Sequence, residues 1–306
     1  MKIARFLLFL LLPCTPLLAS NIRSAVSVNG LDTNACTVAS PCRSIAAAVL
    51  VTTPGGEIIA VDSAGYGTFN VPWALTISGA PGVEASITAT SGDAVLVNPA
   101  TSLDRVILRN LVIIGNGGFI GIHRTSSVLS LLGCVVRGFP GAGVLSVDMD
   151  DAFLADRCAF LDNAGGYGLH VDGKGPTLAA VTITNSEVQG NSIGLSFGDH
   201  TSAAVVNTII SGNSVIGIEA NNSGSPTASD TKVVVDGCTI ANNATGVFST
   251  SGLAGDTATL ALSGSVVSYN TTAATSSGTG VLTSFGNNRF SGNGANGSAF
   301  LSIAVR

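Results

Sequence analysis

Residues Asn110 to Asn116, Asn-Leu-Val-Ile-Ile-Gly-Asn, set a seven-residue shape that returns until the chain ends. The later copies are Gly133–Phe139, Arg157–Asn163, Asn185–Asn191, Asn207–Asn213, Gly237–Asn243, Gly264–Asn270 and Asn287–Asn293. Their fourth position reads Ile113, Val136, Phe160, Val188, Ile210, Ile240, Val267 and Phe290, always apolar, and their seventh is Asn in every copy except Phe139. Intervals of 22 to 30 residues between copies mark a solenoid, in which each repeat buries its apolar face only against its neighbours. A second motif keeps phase with the first: Gly121-Ile122, Gly143-Val144, Gly168-Leu169, Gly194-Leu195, Gly217-Ile218, Gly246-Val247, Gly280-Val281 and, in degenerate form, Ala299-Phe300.

Each copy contains three short runs with alternating apolar and polar residues, such as Ala180-Val181-Thr182-Ile183, Glu187-Val188-Gln189 and Gly194-Leu195-Ser196-Phe197. Period-two alternation means strands, and the Gly, Asn, Ser and Asp between the runs suit sharp bends. Three strands and three bends close one turn of a coil, and successive turns pair as parallel ladders about 4.8 Å apart. The expected fold is therefore all-β: a single-stranded right-handed parallel β-helix of about ten coils, the hand following the usual chirality of parallel connections. In such a coil an Asn repeated at one bend donates to its neighbour on one side and accepts from the other. Phe139 interrupts that column and marks a local change to aromatic packing.

The ends differ from the repeat. Lys2 and Arg5, the apolar run Phe6 to Leu12 and the small residues at Ala19-Ser20 read as a secretory signal over 1–19, too short to span a bilayer. Ser40-Pro41 followed by an Ala-rich stretch reads as an N-cap and the start of a helix that stops at Gly55-Gly56 and lids the open end of the coil. The expected division is thus signal 1–19, cap 20–56 and β-helix 57–306. Cys36 and Cys42, in an exported chain, are expected to pair and fasten the lid. Cys134, Cys158 and Cys238 all hold the second repeat position and point inward, the first two as vertical neighbours, either bonded or as small core residues; with three left, at least one is unpaired. Against 18 acidic residues stand 13 basic ones, two of them in the signal, so nucleic acid is not an expected partner.

The coil pattern, with the entry segments Val28-Asn29-Gly30-Leu31-Asp32, Cys36-Thr37, Pro41-Cys42-Arg43-Ser44-Ile45 and Gly55-Gly56-Glu57-Ile58, resembles the right-handed parallel β-helix proteins of the pectin-lyase-like superfamily, particularly secreted bacterial members of unassigned activity. The resemblance covers essentially the whole mature chain. It implies the fold but not one activity, because the superfamily includes lyases, hydrolases, epimerases, adhesins and phage spikes. The Gly-His-Gly and Arg-Ile-Lys signatures of polygalacturonases are absent, and Gly198-Asp199-His200 lacks the tryptophan context of the pectate-lyase Asp-His.

Chemistry concentrates in one stretch. Asp148, Asp150, Asp151, Asp156, Asp162 and Asp172 put a third of all acidic residues into 25 positions. The strand after Gly168 turns His170 and Asp172 outward, with Tyr167 before them and Lys174 after, and His123 projects from the matching position two coils earlier with Leu145 between. For a uronate polymer, His170 would take the proton beside the sugar carboxylate, Lys174 would neutralise that carboxylate and Tyr167 would protonate the departing oxygen; as a hydrolase, paired Asp would act as acid and base. His123, Asp148, Asp150 and Asp151 are the candidate substrate-binding residues, and Ca2+ is the one candidate cofactor, a cation the oxygens of the acidic band could hold. Against catalysis, Asp suits turns; against a carbohydrate platform, which wants aromatic rings, the mature chain has only Trp73 and three Tyr. The expectation is an exported protein, without an integral membrane span, that contacts extracellular or envelope polysaccharide, with catalysis undecided and a lyase, epimerase or hydrolase of uronate polymers as the alternative.

Overall fold

A computed structural model describes residues 21–147, 151–174, 178–222, 230–252 and 255–303; the expected signal over 1–19, Asp148 and Asp150 lie outside them. Strands run in three parallel sheets, with twelve strands in the first and ten in each of the others, each strand but those at the sheet ends bonded to its counterparts in the preceding and following coils. One coil shows the plan: Ala179–Thr184 in the first sheet, Glu187–Gln189 in the second and Ile193–Phe197 in the third. Eight coils, from Leu75 to Gly278, carry three strands that each bury at least one residue, two fewer than expected. The coil before them has only Ala64–Gly65 in the second sheet, and the one after has exposed strands at Arg289–Ser291 and Ala295–Gly297.

The apolar column is one vertical file. Ile113 faces Val136, then Phe160, Val188, Ile210, Ile240, Val267 and Phe290 follow in register, and all but Phe290 are fully buried. Burial of each side chain requires the coil above and the coil below, so the core is continuous along the rod.

Two polar ladders run beside it. From Asn163 to Asn293, each Asn gives its backbone N–H and its Nδ2 to the Oδ1 of the next; the Asn191–Asn213 rung measures 3.1 Å for both, and the Asn213–Asn243 rung 3.0 and 2.9 Å. Nδ2 also donates to the carbonyl of the core residue one coil back, as Asn191 does to Phe160 at 3.0 Å. These bonds satisfy groups that the bend removes from the sheets. Asn116 does not belong to the ladder and is exposed, while Phe139, buried at the head of the column, gives its N–H to Asn163. The glycine of the second motif sits against this ladder: a Cβ at Gly168 would lie 2.9 Å from the Asn191 amide and 2.6 Å from the Gly194 carbonyl. Gly280-Val281 and Ala299-Phe300 are not members of that motif. Register assigns the place to Ala273-Ala274 and then Asn296-Gly297, because Gly280 pairs within the first sheet.

The second ladder uses the position of the three cysteines. Cys158 N–H donates to Ser186 Oγ, Ser186 to Thr208 Oγ1, Thr208 to the Cys238 sulfur and Cys238 to Ser265 Oγ. Small hydroxyl and thiol side chains thus do at the first bend what Asn does at the second. All three cysteines are buried and unpaired; burial pushes the Cys238 thiol up to about 11.

At the N-terminal end Cys36 and Cys42 are disulfide-bonded. The helix occupies Ile45–Val51 with Ser44, not Ser40, as its N-cap, and Thr52 rather than Gly55 follows it. The start is displaced because residues 41–44 are held in the entry loop: Asp32 Oδ1 accepts from the Arg43 and Ser44 amides at 2.9 and 2.8 Å, and the Pro41 carbonyl accepts from Asn34 Nδ2 at 2.7 Å. Ile45, Ala48 and Val49 are buried as the floor of the core. At the far end Leu301–Ser302 forms a last, exposed strand. Among the described residues no helix is long and apolar enough to cross a membrane.

Replacing Asn213 by Ala removes the acceptor of two bonds from Asn191 and strands buried donors, so urea denaturation should show a loss of about 2–4 kcal/mol. The same change at exposed Asn116 should stay within about 0.5 kcal/mol; equal losses at both positions would refute the ladder.

Candidate functional site

The residue after each Gly-apolar pair of the third sheet faces outward, so parallel register lines these residues up. The file reads Leu96, His123, Leu145, His170, Ser196, Glu219, Phe248 and Thr275. His123 and His170 hold the places expected of them, two coils apart with Leu145 between.

Around His170 the file becomes a hydrogen-bonded chain. Tyr167 stacks on the imidazole, with ring centroids 4.6 Å apart and planes 27° from parallel. His170 Nδ1 lies 2.9 Å from Ser196 Oγ, and Ser196 Oγ donates to Glu219 Oε1 at 2.7 Å. A hydroxyl has one proton. With that proton given to the carboxylate, Ser196 accepts from Nδ1–H, which leaves the Nε2 lone pair of a neutral imidazole for another partner. Burial holds the His170 pKa down at about 4, so the ring stays neutral well below pH 7. Glu219 is buried and its pKa is raised by that burial. Tyr167 is raised by burial and then by the Glu219 and Asp172 carboxylates, so its phenol stays protonated.

The other expected residues are distributed differently. Asp172 follows the same strand and lies against the Gly198 backbone, where a Cβ would meet its Oδ1. Lys174 is exposed two residues further on. His123 Nδ1 is 2.7 Å from Asp93 Oδ2, a dyad on the coils before the His170 chain. The acidic band is not one surface: Asp151 precedes the first-sheet strand, Asp156 ends it, Asp162 stands exposed at the bend after the second sheet, and Asp172 follows the third. A coil turns its chain through every face in about 25 residues, so nearness in sequence scatters these carboxylates. Among the described residues no three His, Cys, Asp or Glu side chains converge on one point. Asp151 instead acts on Arg124, a fully buried guanidinium that donates through Nε to the Ser127 carbonyl at 2.8 Å; burial lowers its pKa to about 10, with Asp151 opposing the shift.

Ser196, Glu219 and Asp93 were not singled out by sequence reasoning. The first two are legible in principle: Gly194-Leu195 and Gly217-Ile218 align with Gly168-Leu169, and the next residue of each is the His170 equivalent.

The three stacked sheets define a parallel β-solenoid, and its sequence agrees. Residues 118–298 match the model of the family described as right handed beta helix region, and the chain belongs to that family, with a pectin-lyase-like β-helix fold. No curated protein matches it by sequence. Among solved structures, alginate lyase from Paenibacillus sp. str. FPU-7 superposes with a TM-score of 0.68 at 14% identity, over 92% of this chain and 100% of that one. Pectate lyase Pel9A gives 0.57 at 11% identity over 94% and 82%. Lacto-N-biosidase of family GH136 from Eubacterium ramulus gives 0.50 at 12% identity over 92% and 68%. At these identities the likeness is one of fold.

The depressed His170 pKa carries a sign. Between its unfolded value of 6.5 and the folded value of about 4, the unfolded chain binds the extra proton, so this residue's share of stability is whole above pH 6.5 and is lost as pH falls toward 4. Glu219, raised in the folded state, acts oppositely as pH climbs above the ordinary glutamate value of 4.5. Imidazole NMR should show His170 titrating near pH 4 with the proton on Nδ1, and Ser196→Ala should redistribute the tautomers; a midpoint near 6.5 would show the ring to be solvated.

Proposed function

We propose that this is an exported β-helix protein that contacts polysaccharide along its third sheet, centred on Tyr167 and His170. The observation that carries the reading is the outer file itself: half-buried Leu96, His123, Leu145 and His170 follow one another once per coil, about 4.8 Å apart, on a straight rigid face, with Ser196 and Glu219 buried beyond them. An extended polymer meets such a face with many weak contacts in sequence. Tyr167 supplies the aromatic surface that sugar rings pack on, since Tyr66 is fully buried and Tyr269 stands after the second sheet. His123, fixed by Asp93, is a polar contact two coils away. The names of two fold neighbours, an alginate lyase and a pectate lyase, support acidic polysaccharides as the first to test.

A glycan array probed with the exported chain should give hits among extended polysaccharides. Tyr167→Ala and His123→Ala should each weaken binding by roughly three- to tenfold, the range of a stacking or polar contact. An array blank at high protein concentration would remove the reading.

One observation favours catalysis as a second reading. Nε2 of His170 is left as an acceptor by the Ser196–Glu219 chain, beside a phenol that keeps its proton. In a uronate polymer His170 would take the proton from the carbon beside the carboxylate. That electron pair would form the carbon–carbon double bond as the glycosidic oxygen leaves with the Tyr167 proton; return of a proton to the opposite face instead would be epimerisation. Lys174 would neutralise the sugar carboxylate. Incubation with uronate polymers, with and without Ca2+, should then produce absorbance from unsaturated ends, and His170→Ala should reduce the rate by about 10²-fold or more. Equal rates for His170→Ala and the unaltered protein would eliminate this chemistry.

A further inference from the structure

The bend between the first and second sheets repeats one conformation. Asn110, Gly133, Arg157, Asn185, Asn207, Gly237 and Gly264 all have positive φ, between 50° and 63°. Asn and Gly tolerate this left-handed backbone, and the column consists of them at every place but one. Arg157, at φ 53°, is the exception. A residue kept in a disfavoured backbone state, where its neighbours show which residues fit, points to a side chain needed there for another reason.

Its surroundings give that reason. Arg157 Nε donates to Asp156 Oδ2 at 3.0 Å, and the other oxygen of Asp156 accepts from Thr184 Oγ1 at 2.8 Å and Asn185 Nδ2 at 2.9 Å. Those two bonds come from the next coil and, with the Arg157 charge, keep Asp156 ionised below the usual carboxylate range. The guanidinium is thereby aimed, yet its side chain is 73% exposed and, among the described residues, its Nη atoms have no partner. Two grooves of about 490 Å³ each open along this corner, and Arg157 lines both. Arg109, exposed and two coils earlier, lines the first with Asn110, Leu132 and Gly133. The second continues over Asn185 and Asn207, with Ile209 on its floor and Glu187 as a like charge for any anion. An anionic group is therefore directed to the first groove, between two arginines about 10 Å apart along the rod.

We propose that this corner is a second binding site, separate from the third-sheet face, where Arg157 and Arg109 hold carboxylates of an acidic polysaccharide. A guanidinium whose Nε is already docked presents its remaining N–H groups to a carboxylate, the geometry of charge-assisted pairing. Repeating carboxylates along a uronate chain match two cations set along the rod axis, while the amides of the neighbouring bends are suited to hydroxyls.

The test is calorimetric titration of the full chain with oligogalacturonate at low and moderate salt, neutral dextran and dextran sulfate serving as comparisons. The unaltered protein should bind oligogalacturonate in preference to both, more weakly as salt rises. Arg157→Asn with Arg109→Gln should weaken binding roughly tenfold or more. Arg157→Asn by itself should hold or raise the thermal midpoint, since Asn suits the left-handed bend, so a binding loss cannot be assigned to unfolding. Tyr167→Ala, which tests the third-sheet reading, should leave the arginine-dependent part intact. Absence of oligogalacturonate binding, binding unchanged in the double variant, or equal binding of dextran sulfate would each overturn the assignment.

Discussion

Vertical pairing of one coil on the next is the interaction from which the rest of this molecule follows. Almost every strand finds its backbone partners in the coils before and after it, some 25 residues away in sequence, so no coil satisfies its own main chain. The bends would break that pattern if left bare. Asn163 to Asn293 close it at one corner and the Ser, Thr and Cys series from Cys158 to Ser265 at another, each rung bonded to the next coil in the manner of a strand. Polar ladders and apolar file share a register, which is why the Asn amide can also reach the carbonyl of the core residue one coil back.

The same stacking turns sequence period into surface pattern. Any outward position recurs as a straight row, so function can be written as one substitution per coil without disturbing the interior. The third sheet carries His123, Leu145, His170, Ser196 and Glu219 in such a row, and a buried serine and glutamate there orient an imidazole from one and two coils away. The first bend carries Asn and Gly in another, broken by Arg157. In both rows the informative residue is the one that departs from what its column needs for folding.

Burial separates these two regions electrostatically. At His170 loss of solvent favours the neutral imidazole, whose tautomer is set by the hydrogen bonds running through Ser196 to Glu219. At Arg157 the charge remains in solvent and Asp156 is held ionised by the next coil, so attraction at that corner is open to salt and to mobile anions.

Local sequence determined the repeat, the strand alternation, the inward file from Ile113 to Phe290 and the pairing of Cys36 with Cys42, because each depends on a residue type recurring at a bend or on a short span. It also placed His123 and His170 on one outer row, since alternation fixes side-chain direction within a strand. Tertiary structure alone decided which positions in different coils are neighbours once the spacing varies: Ala273-Ala274 rather than Gly280-Val281 in the coil after Gly246-Val247, and Ser196 and Glu219 beyond His170. It also sent the acidic residues that cluster in sequence to separate corners and moved the helix start to Ser44. The physical reason is common to all: intervals between copies differ by several residues, and only the hydrogen-bonded register between coils fixes which of them form the wall.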